Sequence, residues 1–244
     1  MQTSASPFAG LPPVVKNLLI LNIICFIGSQ FFEPATRMFG VYYPDSPFFR
    51  IWQIITYMFM HGNLPHIFFN MFALFMFGPV LEQIMGSKRF INFYLITGLG
   101  ALVLQFAVQA IEVYSIAGTI SASQWLEFDM LRGMVYGNHP SMTNENFSTI
   151  VSVYNTPMVG ASGAIYGLLI AFACLFPNTS LYLMFIPVPV KAKYFIPVLI
   201  VVELFLGVSR ISGGSIAHFA HIGGALFGFI LLKVWGIRKP TYWS

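Results

Sequence analysis

A serine set among small residues, in Gly160-Ala161-Ser162-Gly163-Ala164-Ile165-Tyr166-Gly167, opens one apolar run, and a histidine sits in another, Ala220-His221-Ile222-Gly223-Gly224-Ala225-Leu226-Phe227-Gly228. The chemistry open to such a pair is acyl transfer, because a hydroxyl is a weak nucleophile until an adjacent base takes its proton. Pro157 and Gly160 place a helix start just before Ser162. Unpaired backbone N–H groups and the positive end of the helix dipole then lie beside the hydroxyl, where a developing oxyanion would be stabilised. Alone, a serine in an apolar helix usually bonds a backbone carbonyl or lets another helix come close. A lone histidine there is a structural hydrogen bonder or a proton relay. The pair gains meaning only if the two segments touch. Gly163-x-x-x-Gly167 and Gly224-x-x-x-Gly228 each put two glycines on one helical face, and packing those faces together brings Ser162 and His221 within hydrogen-bond reach. Tyr166, one turn after Ser162 on the same face, is placed to pack on the imidazole and orient it.

Other polar residues within apolar runs need the same weighing. His66 and Asn70 are four apart on one helical face, each able to donate a hydrogen bond, and fit donors aimed at an oxyanion. A metal site needs further histidines or carboxylates at converging positions; the spacing offers none, and no cofactor is called for. His61 is placed to bracket water or pair with loop groups. His218, one turn before His221, reads as an interfacial residue outside the chemistry. Glu203 falls in mid-run, where a carboxylate is expensive. A structural role, protonated against a neighbouring helix, is expected over a place on a substrate entry path.

These residues need elements to hold them, and the composition says which. Of 244 residues 57% are hydrophobic and 8% charged, with 26 phenylalanines, against roughly 25% charged in an ordinary soluble domain. The chain reads as an all-α membrane protein with several spans of about 20 residues. A net charge of +4 points to Lys and Arg retained at one membrane face, not to a nucleic-acid partner. Cys25 and Cys174 both lie in apolar runs and imply no disulfide framework.

Six spans are expected, at about Val14–Phe32, Leu64–Glu82, Phe90–Ile111, Gly160–Phe176, Tyr194–Val208 and Ser215–Trp235. Leu11-Pro12-Pro13 suits a helix start, and with no small-residue cleavage site following it the first span reads as retained. Pro34, Pro44 and Pro47, interleaved with Tyr42, Tyr43, Phe48, Phe49 and Trp52, make the first loop a headgroup-level segment. Gly86-Ser87-Lys88-Arg89 reads as a short basic turn and Pro187 to Lys193 as a Pro-broken one. The most polar stretch, about 112–157, holds Glu127, Asp129, Arg132, His139 and Glu145; it reads as an extended outward loop, with a short interfacial helix over Trp125–Phe128. The whole chain, 1–244, reads as one membrane domain. Lys16, Lys88, Arg89, Lys191, Lys193, Lys233, Arg238 and Lys239 fall in one set of loops and Arg37, Arg50, Arg132 and Arg210 in the other. The larger set marks the cytoplasmic side, so both termini are expected there, before and after Pro240 alike, and Ser162 near the outward end of its span.

Taken together the residues resemble the rhomboid intramembrane serine proteases. The resemblance covers approximately Trp52 to Gly228. It rests on His61-x-x-x-x-His66-x-x-x-Asn70, the Glu82-Gln83-x-x-Gly86 exit, Gly160-x-Ser162-Gly163, and Ala220-His221 followed by Gly224 and Gly228. It implies a six-helix rhomboid-like bundle in which Ser162 is the nucleophile, His221 the general base, His66 and Asn70 oxyanion donors, and Tyr166 a stacking partner of the histidine. It implies substrates that are single transmembrane segments with small residues at the cut, and assigns Glu203 no role. Two departures stand out: Trp52 is followed by Gln53 where many members have Trp-Arg, with Arg50 nearby, and the third loop is longer than in compact members. The competing readings are a non-proteolytic binder of transmembrane segments and a proton-coupled transporter with Glu203, His66 and His221 as its relay. The partners expected are the lipid bilayer and transmembrane-helix substrates, the membrane a bacterial inner membrane, and the oligomeric state is left open.

Overall fold

The apolar runs fold as helices whose lengths are set by what separates them. The computed structural model describes residues 10–137, 142–183, 186–209 and 216–239. His139, Arg210, Ser215 and Pro240 lie outside the described residues. The described chain is mostly helical. It comprises α1 (Pro13–Phe31), short α2 (Ala35–Phe39) and α3 (Gln53–Thr56), α4 (Leu64–Met85), α5 (Ser87–Ala117), α6 (Asn144–Asn155), α7 (Ser162–Leu175), α8 (Ala192–Ser209) and α9 (Ile216–Val234). Among the described residues α1, α4 and α5 are long and apolar enough to cross a membrane, while Ser162–Leu175 and His218–Val234 are shorter apolar helices.

Proline opens α1, and the side chain of Glu82 on α4 accepts its first N–H groups, from Val14 at 3.1 Å and Val15 at 2.8 Å. A buried carboxylate at a helix N-terminus is favoured by the dipole and by the orphan donors there, which gives Glu82 a local reason to be where it is. α4 starts at Asn63, whose Oδ1 accepts from the His66 N–H at 2.8 Å, and ends at Gly86 with φ +74°. That left-handed turn suits glycine and needs only one residue, so the basic turn expected over 86–89 shrinks to Gly86 and Lys88 and Arg89 lie on α5. α5 in turn runs past the expected end at Ile111 to Ala117, and beyond that end it buries Val113. α5 packs along α9 and α7, α1 along α4, α4 along α7, and α8 along α9.

The long loop differs most from expectation. No helix forms over Trp125–Phe128: Ser123–Trp125 is one 3₁₀ turn, and β1 (Glu127–Asp129) pairs antiparallel with β2 (Met134–Tyr136). The turn between them is closed by Asp129, whose Oδ1 accepts from the N–H groups of Leu131 and Arg132. α6 follows, capped by the Thr143 side chain on the Asn146 N–H, and buries Ile150, Val153 and Tyr154 along one stripe. With Tyr43, Val113, Ala122, Leu126 and Val135 these form a second core, separate from the helix core. The basic segment after α7 is also a hairpin, β3 (Ser180–Leu183) with β4 (Ile186–Lys191). Prolines 187 and 189 are tolerated there because every strand of a two-stranded ribbon is an edge.

Asp45, in the first loop, joins that loop to the insertion. Its carboxylate accepts from the Tyr154 hydroxyl at 2.5 Å, the Ser121 hydroxyl at 3.0 Å and the Ser123 N–H at 3.3 Å, while the Ala122 N–H donates to the Tyr154 oxygen at 2.8 Å. Burial first, and the Asp45 carboxylate next, push the Tyr154 hydroxyl well above its ordinary pKa, so it remains a donor at any working pH. Asp45→Ala leaves two hydroxyls and a backbone N–H without their acceptor. Hydrogen bonds to a charged group are typically worth about 2 kcal/mol, so we expect a lower unfolding temperature in detergent, with Asp45→Asn losing less. An Asp45→Ala protein that melts with the parent would show the insertion to be held by its apolar core alone.

Candidate active site

Ser162 is the first residue of α7, preceded by Ala161, which has no side chain to cap the helix. Its own N–H and those of the next residues therefore have no intrahelical acceptor, and they open onto the hydroxyl. The residue before that turn, Gly160, has φ +126°, a conformation side chains rarely adopt, and its N–H bonds the Tyr57 carbonyl at 2.9 Å. A Cβ built on Gly160 would meet His66 Nε2 at 2.7 Å and Ser162 Oγ at 3.5 Å. The absent side chain is what lets the imidazole of α4 and the hydroxyl of α7 share one spot.

His221 arrives from α9. The glycine faces meet as the spacing expects: a Cβ on Gly224 would overlap the Gly163 carbonyl, and one on Gly228 would come to 2.7 Å from Gly167 Cα. With the backbones in contact, His221 Nε2 lies 2.8 Å from Ser162 Oγ. Tyr166 stacks on the imidazole with centroids 4.4 Å apart and planes 4° apart. The arrangement pairs a hydroxyl with a nitrogen base at the mouth of a helix N-terminus.

His66 and Asn70 occupy one face of α4. The Gly62 N–H approaches His66 Nδ1 at 3.4 Å. A donor there leaves Nδ1 as acceptor and the neutral ring's proton on Nε2, the atom nearest Gly160. The Nδ2 of Asn70 is buried with no hydrogen-bond partner among the described residues, which is costly unless something else needs the donor. A crevice of about 10 Å³, lined by Tyr57, Met158, Gly160, Ser162, Gly163 and Ala220 among others, adjoins the hydroxyl; that is close to the smallest volume that holds one water. His61 is buried against His66, ring centroids 5.1 Å apart. Burial, then the neighbouring His66, pull His61 down to about 4, so it is neutral in ordinary buffers. In the first loop Gln53 is buried; its Oε1 accepts from the Arg50 N–H at 2.9 Å and its amide donates to the Phe48 carbonyl at 3.1 Å.

Glu203 lies in mid-α8 against neighbouring helices, as expected, but its partners are those of the site: Oε2 is 3.1 Å from His221 Nδ1 and 2.5 Å from His218 Nδ1, and Oε1 accepts from the Tyr166 hydroxyl at 2.7 Å. His218, read as an interfacial bystander, belongs to the same cluster. The convergence also corrects the expectation that no metal-ligand group exists, since the ligand atoms of Glu203, His218 and His221 lie within 4.8 Å of one another. Glu203 already bonds His218 and Tyr166, and His221 Nε2 faces Ser162 Oγ. The signal available in the sequence was Glu203 itself, a carboxylate in mid-helix that had to find donors.

A family model described as a Rhomboid domain matches residues 49–237. The chain is 27% identical over 226 residues to an uncharacterized mitochondrial rhomboid protein of Schizosaccharomyces pombe, covering 80% of this chain and 56% of that one. It is 28% identical over 189 residues to the mitochondrial rhomboid protein 1 of Saccharomyces cerevisiae, covering 78% and 42%. It is 27% identical over 190 residues to the rhomboid protease AarA of Providencia stuartii, covering 74% and 54%. The chain thus spans about half the length of these curated relatives.

Proposed function

Since the chain belongs to the rhomboid family, we propose that it is an intramembrane serine protease that cleaves transmembrane segments of other membrane proteins with Ser162 as nucleophile and His221 as general base. The observation that carries this reading is the 2.8 Å contact between Ser162 Oγ and His221 Nε2 on helices held together by facing glycines. As Oγ attacks the scissile carbonyl carbon, its proton passes to His221 Nε2 and the carbonyl π electrons move to oxygen. The oxyanion is met by donors from the α7 N-terminus, His66 and Asn70. It collapses, the C–N bond breaks, and the amine leaves with the proton from His221. Water activated by the same histidine then hydrolyses the acyl-enzyme. We read the chain as six spans with cytoplasmic termini, a reading supported by the excess of Lys and Arg in one set of loops and one that puts Ser162 toward the outer face.

The relatives do not support the bacterial inner membrane expected from the sequence, since two of those named above are mitochondrial; we infer a multi-pass integral membrane protein and no particular compartment. The carboxylate that gave a transport reading its footing is engaged beside the serine site. The test is incubation of the purified protein with a panel of transmembrane substrates, with product masses read to locate the cut. Products with new termini inside a transmembrane segment are expected; an unprocessed panel together with failure of a fluorophosphonate to label Ser162 would remove the proposal.

The oxyanion donors give a graded result. Losing one typically costs about 3 kcal/mol of transition-state stabilisation, or roughly a hundredfold in rate. His66→Ala and Asn70→Ala are each expected to fall by about that factor in kcat with little change in KM. If both variants turn over at the parental rate, these side chains serve packing alone.

A further inference from the structure

We propose that Glu203 completes a Ser162–His221–Glu203 triad, as a positioning residue that fixes the tautomer and orientation of His221 and balances the charge it acquires; this rests on the proteolytic reading above. Burying a carboxylate at the level of an apolar helix is expensive, and such groups are retained where donors converge on them. Here the donors belong to the reacting site. A carboxylate at Nδ1 holds the neutral ring's proton on that atom, which leaves the Nε2 lone pair for the serine 2.8 Å away. The opposite tautomer would present Nε2–H to the hydroxyl and have no base to offer.

Glu203 acts on the ring by a second route. The stacked position of His221 depends on Tyr166, and the Tyr166 hydroxyl is itself tied to Glu203 Oε1 at 2.7 Å. One side chain of α8 therefore stands at the Nδ1 edge of the imidazole and, through the tyrosine, acts on its face. His221 Nδ1 has no aligned hydrogen bond in the resting protein: Oε2 stands at 3.1 Å but off the line of the N–H, and its aligned partner is His218 Nδ1 at 2.5 Å. Contacts of this kind are often slack before substrate binds and tighten as charge develops. When His221 takes the serine proton, the new imidazolium draws the shared carboxylate toward it; no proton passes to Glu203, which stays ionised throughout.

The groups facing His221 are Ser162 and Tyr166 from α7, Glu203 from α8, His218 from its own helix and His66 from α4, the last near enough to interact by charge. From α5 the facing residues beside this part of α9 are Gly100, Ala101 and Leu104, none titratable. Of these groups only Glu203 carries a formal negative charge. Replacing it with a neutral isostere disfavours the imidazolium, so the acid limb of kcat/KM against pH moves to lower pH even as the plateau falls.

The alternative for the same contacts is a latch, in which Glu203 joins α8 to α9 through His218 alone. The two differ in what they move. We would measure cleavage of a transmembrane substrate, the rate of fluorophosphonate labelling of Ser162 across pH, and the melting temperature, for the parent, Glu203→Gln, Glu203→Asp and His218→Asn. The triad is expected to give a fall of about a hundredfold in kcat and in labelling rate for Glu203→Gln, with KM and melting temperature near parental and the acid limb displaced downward. The reference is a serine protease whose buried aspartate, once neutralised, costs about 10⁴-fold; the oblique contact here argues for less. Glu203→Asp and His218→Asn each leave a carboxylate beside His221 Nδ1 and should retain the parental limb with part of the rate. Glu203→Gln that melts earlier but labels at the parental rate with an unmoved limb would establish the latch and overturn the triad. Should Glu203→Gln fail to fold, Glu203→Asp decides: a displaced limb there overturns the triad. Parent protein that neither cleaves nor labels overturns the protease reading and the triad with it, whereas labelled parent with an indifferent Glu203→Gln overturns the triad alone.

Discussion

Ser162→Ala and His221→Ala are each expected to abolish cleavage, by about 10⁴-fold or more, and combining them should cost little beyond either alone, because a nucleophile and its base act as one unit. The physical reason is the single proton held between them at 2.8 Å. Without Oγ there is no bond to form, and without Nε2 the hydroxyl remains un-ionised in an apolar setting. Ser162→Ala removes one oxygen from a first-turn position and leaves the glycine contacts intact, so its melting temperature should match the parent. His221→Ala gives up the stack on Tyr166 and is expected to melt somewhat earlier. Product formation by mass spectrometry and fluorophosphonate labelling are the readouts; turnover near parental in either single variant rules out the assignment.

The second large effect is expected from a residue with no reactive atoms. A Cβ at Gly224 would overlap the Gly163 carbonyl, and backbone cannot rotate out of the way as a side chain does. Gly224→Val must push α9 off α7. Overpacking of this sort commonly costs about 1–3 kcal/mol in stability, but the loss in rate should be greater than stability alone suggests. Ser162 and His221 ride on the two helices being separated, and a misplacement of about 1 Å costs on the order of a hundredfold. Gly28→Ala on α1, where a Cβ meets nothing within 4 Å, is the control and should behave as the parent. Parental cleavage by Gly224→Val would mean that the helices part without disturbing the pair.

The pair was legible in the sequence because its geometry is written in short-range spacing. Gly163, Gly167, Gly224 and Gly228 each recur at one-turn intervals, and Tyr166 follows Ser162 by one turn, so facing surfaces follow from helical periodicity alone. The starts of α1 and α7 were likewise announced by Pro13 and Gly160. Glu203 was illegible for the opposite reason. Its partners lie on α7 and α9, and nothing local states the register at which α8 meets either. Asp45 is similar, its acceptor role depending on Ser121 and Tyr154 more than seventy residues away. The hairpins escaped because strands of three to six residues are too short to show a clear period, and α5 overran its expected end because the polarity that begins at Glu112 hides that Val113 beyond it is buried.

The dependence of α1 on Glu82 bears on the order in which the protein comes into being. The donors of Val14 and Val15 find their acceptor 67 residues or more downstream, so the first helix is synthesised before its cap exists. At about 5 to 20 residues per second the ribosome needs roughly 3 to 13 s to supply it. Throughout that interval the amide groups at the head of α1 are left to water and lipid headgroups. α1 therefore reaches its final seat later than it is made, only when α4 has emerged and turned at Gly86.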